Sequence, residues 1–279
     1  MRKIQVILLF SVAALIFAGC SLRTTRSGIL MIKGSETMKP LITELAAEFM
    51  RKNPGVSIYV DGGSSSEGIR ELIEGEADIC MASRPLEAKE VRALAEKTGM
   101  LGISTIIAKD EVFFYVNGSN RVSNLSFTQL KDILSGRITN WKEVGGPDLR
   151  ITLYLRPSNS GTMAYVRKFV LDNQNYGSNA IIKPTNDEII EGVAGDEGAI
   201  GFTGIQYGAE SRISLLSVDK IFPSGFSPGS EGYPVTRYLH LYTISEPTGI
   251  HKDLITWIIS PEGQKIVREL GYIPLWLKE

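Results

Sequence analysis

From Gly28 onward, apolar and polar positions follow two interleaved rhythms. Residues 30–32 form a short apolar run, and residues 40–52 carry Leu41, Ile42, Leu45, Ala46, Phe49 and Met50 at helical spacing. Val56, Ile58 and Val60 alternate with polar neighbours, the period-two pattern of a half-buried strand. A short helix over 68–74, a buried strand over 78–82 and a helix over 86–97 continue the series. A second series places strands at 112–116, 151–155 and 199–202 and helices at 127–134, 162–171 and 188–194. The stretch 223–234 is rich in Gly and Pro and predicts a long loop. A strand over 238–244 and two amphipathic helices, 252–259 and 262–270, close the chain. Strands interleaved with helices predict an α/β fold whose sheets are mixed and mostly parallel, with flanking helices.

The first twenty residues stand outside this rhythm. Arg2 and Lys3 precede an apolar run over 4–17, broken only by Gln5 and Ser11, and Ala18, Gly19 and Cys20 follow. This is the layout of a secretory signal, and the run is too short for a comfortable membrane span. Small-small-Cys directly after the apolar core resembles the bacterial lipobox. That resemblance implies removal of residues 1–19, lipid on Cys20, and a polar tether over 20–27. A cysteine carrying two or more acyl chains stays on a membrane. The protein is therefore expected to be secreted across the cytoplasmic membrane and anchored there by lipid.

With Cys20 so used, only Cys80 remains, which excludes an internal disulfide and a cysteine-based zinc site. A lone Cys of this kind packs as a small hydrophobe. His240 and His251 are solitary, so no metal and no cofactor is expected. With 30 basic against 31 acidic side chains and no block of one sign, nucleic acid is not an expected partner.

The candidate chemistry lies in three segments of one local form: a strand end, then small hydroxyl residues, then a helix start. They are Gly34-Ser35-Glu36-Thr37-Met38, Gly62-Gly63-Ser64-Ser65-Ser66-Glu67-Gly68 and Arg156-Pro157-Ser158-Asn159-Ser160-Gly161-Thr162. A helix start presents unpaired N–H groups and the positive end of its dipole, and Ser and Thr add hydroxyl donors. Together they make a neutral cradle for a tetrahedral oxyanion. Any one of these segments taken alone is better read as a capping turn than as an anion site. Three of them, one carrying an arginine whose fork suits phosphate or carboxylate, favour the anion. None reads as GxxxxGK[ST], so a nucleotide P-loop is not supported.

In this order the segments resemble the phosphate-binding proteins of bacterial phosphate ABC importers, within the two-lobed periplasmic binding protein class. Ala77-Asp78-Ile79 with Ala82-Ser83-Arg84, the stretch from Ile138 to Gly146, Ala199-Ile200-Gly201-Phe202 and Ser260-Pro261-Glu262-Gly263-Gln264 extend the likeness over nearly all of the secreted chain. The resemblance implies a type II binding-protein fold, with residues 28–110 and 239–279 in one lobe and 111–238 in the other. The crossings between lobes are expected near 109–112 and 237–241. It implies that inorganic phosphate contacts Ser35, Thr37, the Met38 amide, Ser66, Asp78, Arg156, Ser160, Gly161 and Thr162, with Ser65 and Arg84 as secondary candidates. It further implies a monomer that delivers phosphate to the membrane permease components of an ABC importer, and no catalysis. Two positions depart from the pattern. Ser158 stands where some members carry an acidic residue that orients the arginine, and Glu67 stands where some carry Gly.

Asp78 carries the expected selectivity. Phosphate keeps a proton near neutral pH and sulfate has none, so a buried carboxylate would accept from the first and repel the second. A receptor for an unprotonated dianion such as molybdate or tungstate would find that carboxylate an obstacle. A phosphatase-like hydrolase on the same cradle would need a metal cluster, or a nucleophile beside a His base, and the sequence displays neither pattern. Trp141 is assigned a packing or surface role in a turn, and no function.

Overall fold

Residues 29–204, 212–223 and 232–276 are described by the computed structural model, and they build two five-stranded sheets. The leader, Cys20, the tether and residues 224–231 of the Gly- and Pro-rich loop lie outside the described residues.

The chain opens with β1 (Ile29–Gly34), a 3₁₀ turn over Glu36–Met38, and α1 (Lys39–Lys52). Pro40 sits in the first turn of α1, where its missing N–H costs nothing. The buried stripe Leu41, Ile42, Leu45, Ala46 and Phe49 turns this helix onto the sheet. Then follow β2 (Ser57–Asp61), α2 (Ser65–Glu74), β3 (Ile79–Ala82), α3 (Ala88–Thr98) and β4 (Ile103–Glu111). Helix α2 starts at the Ser64 cap and stops at Gly75, whose φ of 80° is the left-handed conformation that ends helices. All four residues of β3 are buried, as in a central strand covered on both faces.

The middle of the chain adds β5 (Phe113–Asn117), β6 (Asn124–Leu125), α4 (Phe127–Leu134), β7 (Thr152–Leu155) and α5 (Gly161–Phe169). After these come β8 (Ala180–Ile182), α6 (Asn186–Gly195), β9 (Ala199–Thr203), β10 (Ile213–Leu215) and β11 (Ser217–Val218). The chain returns through β12 (Thr236–Thr243) to α7 (Gly249–Ile258) and α8 (Pro261–Glu269).

The first sheet has the order β2-β1-β3-β12-β4, with β1, β2 and β3 parallel and β12 antiparallel to both neighbours. The second has the order β10-β5-β9-β7-β8, with β7, β8 and β9 parallel and β5 antiparallel to β9 and β10. In each sheet four strands run one way, and the strand arriving from the other sheet, β12 in the first and β5 in the second, runs against its two neighbours.

Five strands, β4, β6, β8, β10 and β11, have no counterpart among the predicted elements, and β4 is the longest of them. β4 ends in Lys109, Asp110 and Glu111, a charged run that reads as loop, yet it pairs with β12 along its whole length. The partner strand, rather than its own alternation, makes it a strand. The chain passes from the first sheet to the second at Val112 and back after Val235, and the Val112 N–H donates to the Val235 carbonyl at 2.9 Å. The two crossings therefore lie side by side.

Each sheet has its own core. Ile32, Leu41, Leu45, Ile79, Leu241 and Leu254 fill the first, and Phe114, Leu130, Trp141, Leu153 and Phe202 the second. Trp141 is fully buried and donates its indole N–H to the Gly198 carbonyl at 2.9 Å, a packing role with its polar handle satisfied. Cys80 is buried in β3, and burial pushes its thiol well above the usual range, so it stays protonated and inert.

Candidate functional site

The three hydroxyl segments leave the carboxyl ends of parallel strands. Ser35 follows β1, Ser64 and Ser65 follow β2, and Arg156 follows β7 on the second sheet. In open α/β sheets this is the end where ligands bind. Close backbone packing sets the first wall: a Cβ on Gly68 of α2 would lie 2.4 Å from the Gly34 Cα, so only glycine lets this helix meet the end of β1.

The hydroxyls converge. Ser35 Oγ lies 3.2 Å from Thr37 Oγ1 and 3.0 Å from Ser83 Oγ, and Ser83 Oγ lies 3.4 Å from Ser65 Oγ. Thr37 Oγ1 is 3.4 Å from Thr162 Oγ1, which brings α5 of the second sheet against the first. Ser35, Thr37, Ser65, Ser83, Ser160 and Thr162 are all buried.

The cap geometry separates the two readings of these segments. Ser64, Ser126, Thr185 and Ser260 each accept a backbone N–H of their own helix, as capping residues do. Ser35 and Ser160 occupy the same cap position and make no such bond. Their hydroxyls are left for the cradle. The middle segment divides the two jobs, with Ser64 capping α2 and Ser65 facing Ser83.

Arg156 is buried, and two neutral oxygens aim it. Its Nη1 donates to Asn186 Oδ1 at 3.3 Å, and its Nη2 donates to the Gly63 carbonyl at 3.4 Å. The place of the orienting acid at position 158 is thus filled in part by an amide thirty residues beyond Arg156. Glu67 points along the seam between the sheets: it accepts from Ser64 Oγ at 2.9 Å and from Asn159 Nδ2 at 3.4 Å. These contacts fix what the two departures from the family pattern do.

Several expected residues are placed differently. Asp78 stands before β3, at the opposite end of the strand from Ser83, and the five residue steps between them span roughly 16 Å. Its side chain is 40% exposed, accepts the Met31 N–H at 2.8 Å, and faces His251 at 3.9 Å. It braces the start of β1 and does not enter the cradle, so the selectivity assigned to it is withdrawn. Asp78→Asn is expected to change phosphate and sulfate affinity by less than about twofold, since only exposed hydrogen bonds are altered. A larger loss in parallel calorimetric titrations would restore it to the site.

Arg84 is also no ligand arm. It forks onto Glu90 at 2.7 and 2.8 Å and donates to Ser66 Oγ at 2.9 Å. Burial weakens its hold on the proton, and the Glu90 fork more than restores it. Arg84 therefore holds Ser66 in place, and Ser65 rather than Ser66 joins the hydroxyl cluster. The Met38 N–H closes the 3₁₀ turn on the Ser35 carbonyl at 3.0 Å, so a ligand would have to share it.

Sequence reasoning missed Ser83 and Asn186. Ser83 was within reach, because it is the residue at the carboxyl end of the same apolar strand that Asp78 opens. Asn186 follows the Thr185 cap of α6 and carries no local mark of its role.

A model of the PBP superfamily domain matches residues 21–262. The chain is 34% identical over 254 residues to the phosphate-binding protein PstS of Bacillus subtilis, covering 89% of this chain and 81% of that one. It is 27% identical to the phosphate-binding protein PstS of Borreliella burgdorferi, over 98% of this chain and 99% of the relative. Among solved structures, a Clostridium perfringens protein assigned as a phosphate ABC transporter substrate-binding protein, crystallised with bound phosphate, superposes with a TM-score of 0.79. It shares 32% identity, and the match spans 89% of this chain and all of that one. An ABC-type phosphate transport receptor from Vibrio cholerae matches with a TM-score of 0.73 and 28% identity, over 88% of this chain and all of the receptor. A two-sheet fold with hydroxyl loops at its strand ends and these relatives along nearly its whole length place the chain in the PBP superfamily, in the PstS family of phosphate-binding proteins.

Proposed function

We propose that this protein captures inorganic phosphate between its two lobes and delivers it to the membrane components of a phosphate ABC importer. The observation that carries the reading is the buried hydroxyl cluster, contributed by both sheets, together with Arg156. Ser35 and Ser160 hold cap positions without capping, which is the arrangement a ligand would use. The bound phosphate of the Clostridium perfringens relative supports the choice of anion. The cradle binds and does not react: hydroxyls and a guanidinium supply donors without a nucleophile and base in sequence. Phosphate would be held by Ser35, Thr37, Ser65, Arg156, Ser160 and Thr162, with Gly161 at the lobe contact.

Closure follows from the paired crossings at Val112 and Val235, a narrow two-strand connection about which two lobes can hinge. Calorimetric titration of the purified protein with phosphate tests the reading directly. Saturable one-to-one binding is expected, and no heat and no change in thermal unfolding with phosphate would sink it.

The leader supports an extracytoplasmic place, with the mature protein tethered through acylated Cys20. Cys20→Ser is expected to abolish acylation and release the protein from membranes or leave it unprocessed. Lipidated mature protein in the membrane fraction of that variant would overturn the anchor.

A further inference from the structure

A buried ion pair lies beneath the cradle, outside the set of phosphate contacts. Arg237 Nε donates to Asp110 Oδ1 at 2.7 Å and Nη2 donates to Asp110 Oδ2 at 2.8 Å, a side-on fork. The two side chains are 1% and 3% exposed. Asp110 belongs to β4 and Arg237 to β12, directly opposite in the register, at the point where both strands leave the first sheet. Burial pushes the Asp110 carboxyl up and the Arg237 guanidinium pulls it back. Two short parallel bonds are the geometry of an ionised pair.

The third arm of the guanidinium crosses to the other lobe. Arg237 Nη1 donates to Thr162 Oγ1 at 3.0 Å, in the first turn of α5. The surroundings are shaped for it. The Tyr165 ring lies 5.7 Å from the guanidinium carbon, and the Tyr165 hydroxyl donates to the Thr236 carbonyl at 2.7 Å. A Cβ at Gly204, just after β9, would lie 2.3 Å from Arg237 Nη2 and 2.2 Å from Thr37 Cγ2, so only glycine leaves room there.

We propose that Arg237, clamped by Asp110, is a positioning residue for the anion: it holds Thr162 as a hydrogen-bond donor directed into the cradle. A threonine hydroxyl has one proton and two lone pairs, and arginine has no acceptor at all. Once Arg237 occupies a lone pair of Thr162, the Thr162 proton must point away from Arg237. Thr37 Oγ1 faces it across the cleft at 3.4 Å, on the wall where the oxyanion would sit. A hydroxyl free to turn would spend part of its time presenting a lone pair to the anion. Because the clamp sits on the two crossing strands, it sets this donor only when α5 is docked against the first lobe.

This inference rests on the phosphate reading, and a double-mutant cycle separates the two. Arg237→Met with Asp110→Val replaces the pair by apolar side chains of about the same volume, a change buried ion pairs often tolerate in stability. Thr162→Val removes the hydroxyl alone. Thr162→Val is expected to weaken phosphate binding about tenfold, the worth of one hydrogen bond to a charged group. The pair variant is expected to weaken it about threefold, because the freed hydroxyl still donates from one of its three staggered positions. Combined, they should weaken it little more than Thr162→Val alone, because the pair acts only through that hydroxyl. Losses that multiply to about thirtyfold, or a pair variant that binds phosphate as wild type does, would overturn the role. Should the pair variant fail to fold, Arg237→Lys replaces it in the same cycle. Lysine keeps the charge and a donor nitrogen but not the fork, and should recover part of the affinity, and its effect must likewise vanish on the Thr162→Val background. Wild-type protein that fails to bind phosphate at all would instead refute the phosphate reading.

Discussion

Arg156→Ala is expected to weaken phosphate binding about a hundredfold or more while the protein remains folded. Two charge-assisted hydrogen bonds from a guanidinium fork are each worth about 1.5–3 kcal/mol, and each 1.4 kcal/mol is a factor of ten. The side chain is aimed before ligand arrives: Asn186 Oδ1 and the Gly63 carbonyl hold its two terminal nitrogens at 3.3 and 3.4 Å. Both contacts are long, which leaves the fork able to shift onto a stronger acceptor. Gly63 belongs to the loop after β2, so Arg156 spans from the second sheet to the first. Its loss should therefore cost direct contact with the anion and also one link that favours the closed form. Arg156→Lys keeps charge without the fork and should fall between wild type and alanine, since a point charge cannot serve two oxygens in one plane. Calorimetry gives the affinities and thermal unfolding without ligand gives the stability. Alanine variants with unchanged affinity would remove Arg156 from the site.

The helical stripes and the α/β alternation were legible because each depends on residues a few positions apart. The stripe over 40–52 reappears as α1, and the buried strand expected over 78–82 reappears as β3, one residue shorter. What was not legible depends on partners far along the chain. β4 is a strand because β12 lies beside it more than a hundred residues later. Asn186 matters because it meets Arg156, and Arg237 because it meets Asp110 and Thr162. The misplacement of Asp78 has a different origin. The apolar run 79–82 is flanked by Asp78 on one side and Ser83 on the other, and local pattern does not say which end faces a ligand. The parallel pairing of β3 with β1 decides it, since Gly34, which leads into Ser35, lies opposite Met81. The choice of hydroxyls was legible at the level of loops and not of atoms. Whether a serine caps its helix or faces a ligand is a matter of one rotamer, and Ser64 and Ser65 took opposite roles.

Gly161→Ala should weaken phosphate binding by roughly tenfold to a hundredfold without destabilising the fold. A Cβ at this position would stand 2.2 Å from Ser65 Oγ, 2.5 Å from Ser83 Oγ and 2.9 Å from Ser65 Cβ. All three atoms belong to the first lobe, while Gly161 opens α5 of the second. The added methyl therefore presses first on the seam between the lobes. Overpacking of a tight interior contact costs about 1–3 kcal/mol, which sets the expected loss. Within its helix the substitution is favourable, by up to about 1 kcal/mol, because alanine is the better helix former. Stability and affinity should thus move in opposite directions, a pattern that general damage would not produce. Small-angle scattering provides the second reading: wild type should contract on adding phosphate, and the variant should contract less or not at all. A variant that binds and contracts like wild type would mean that the bound state does not bring Gly161 against Ser65 and Ser83. The hydroxyls of the two lobes would then have to meet the anion across a wider cleft.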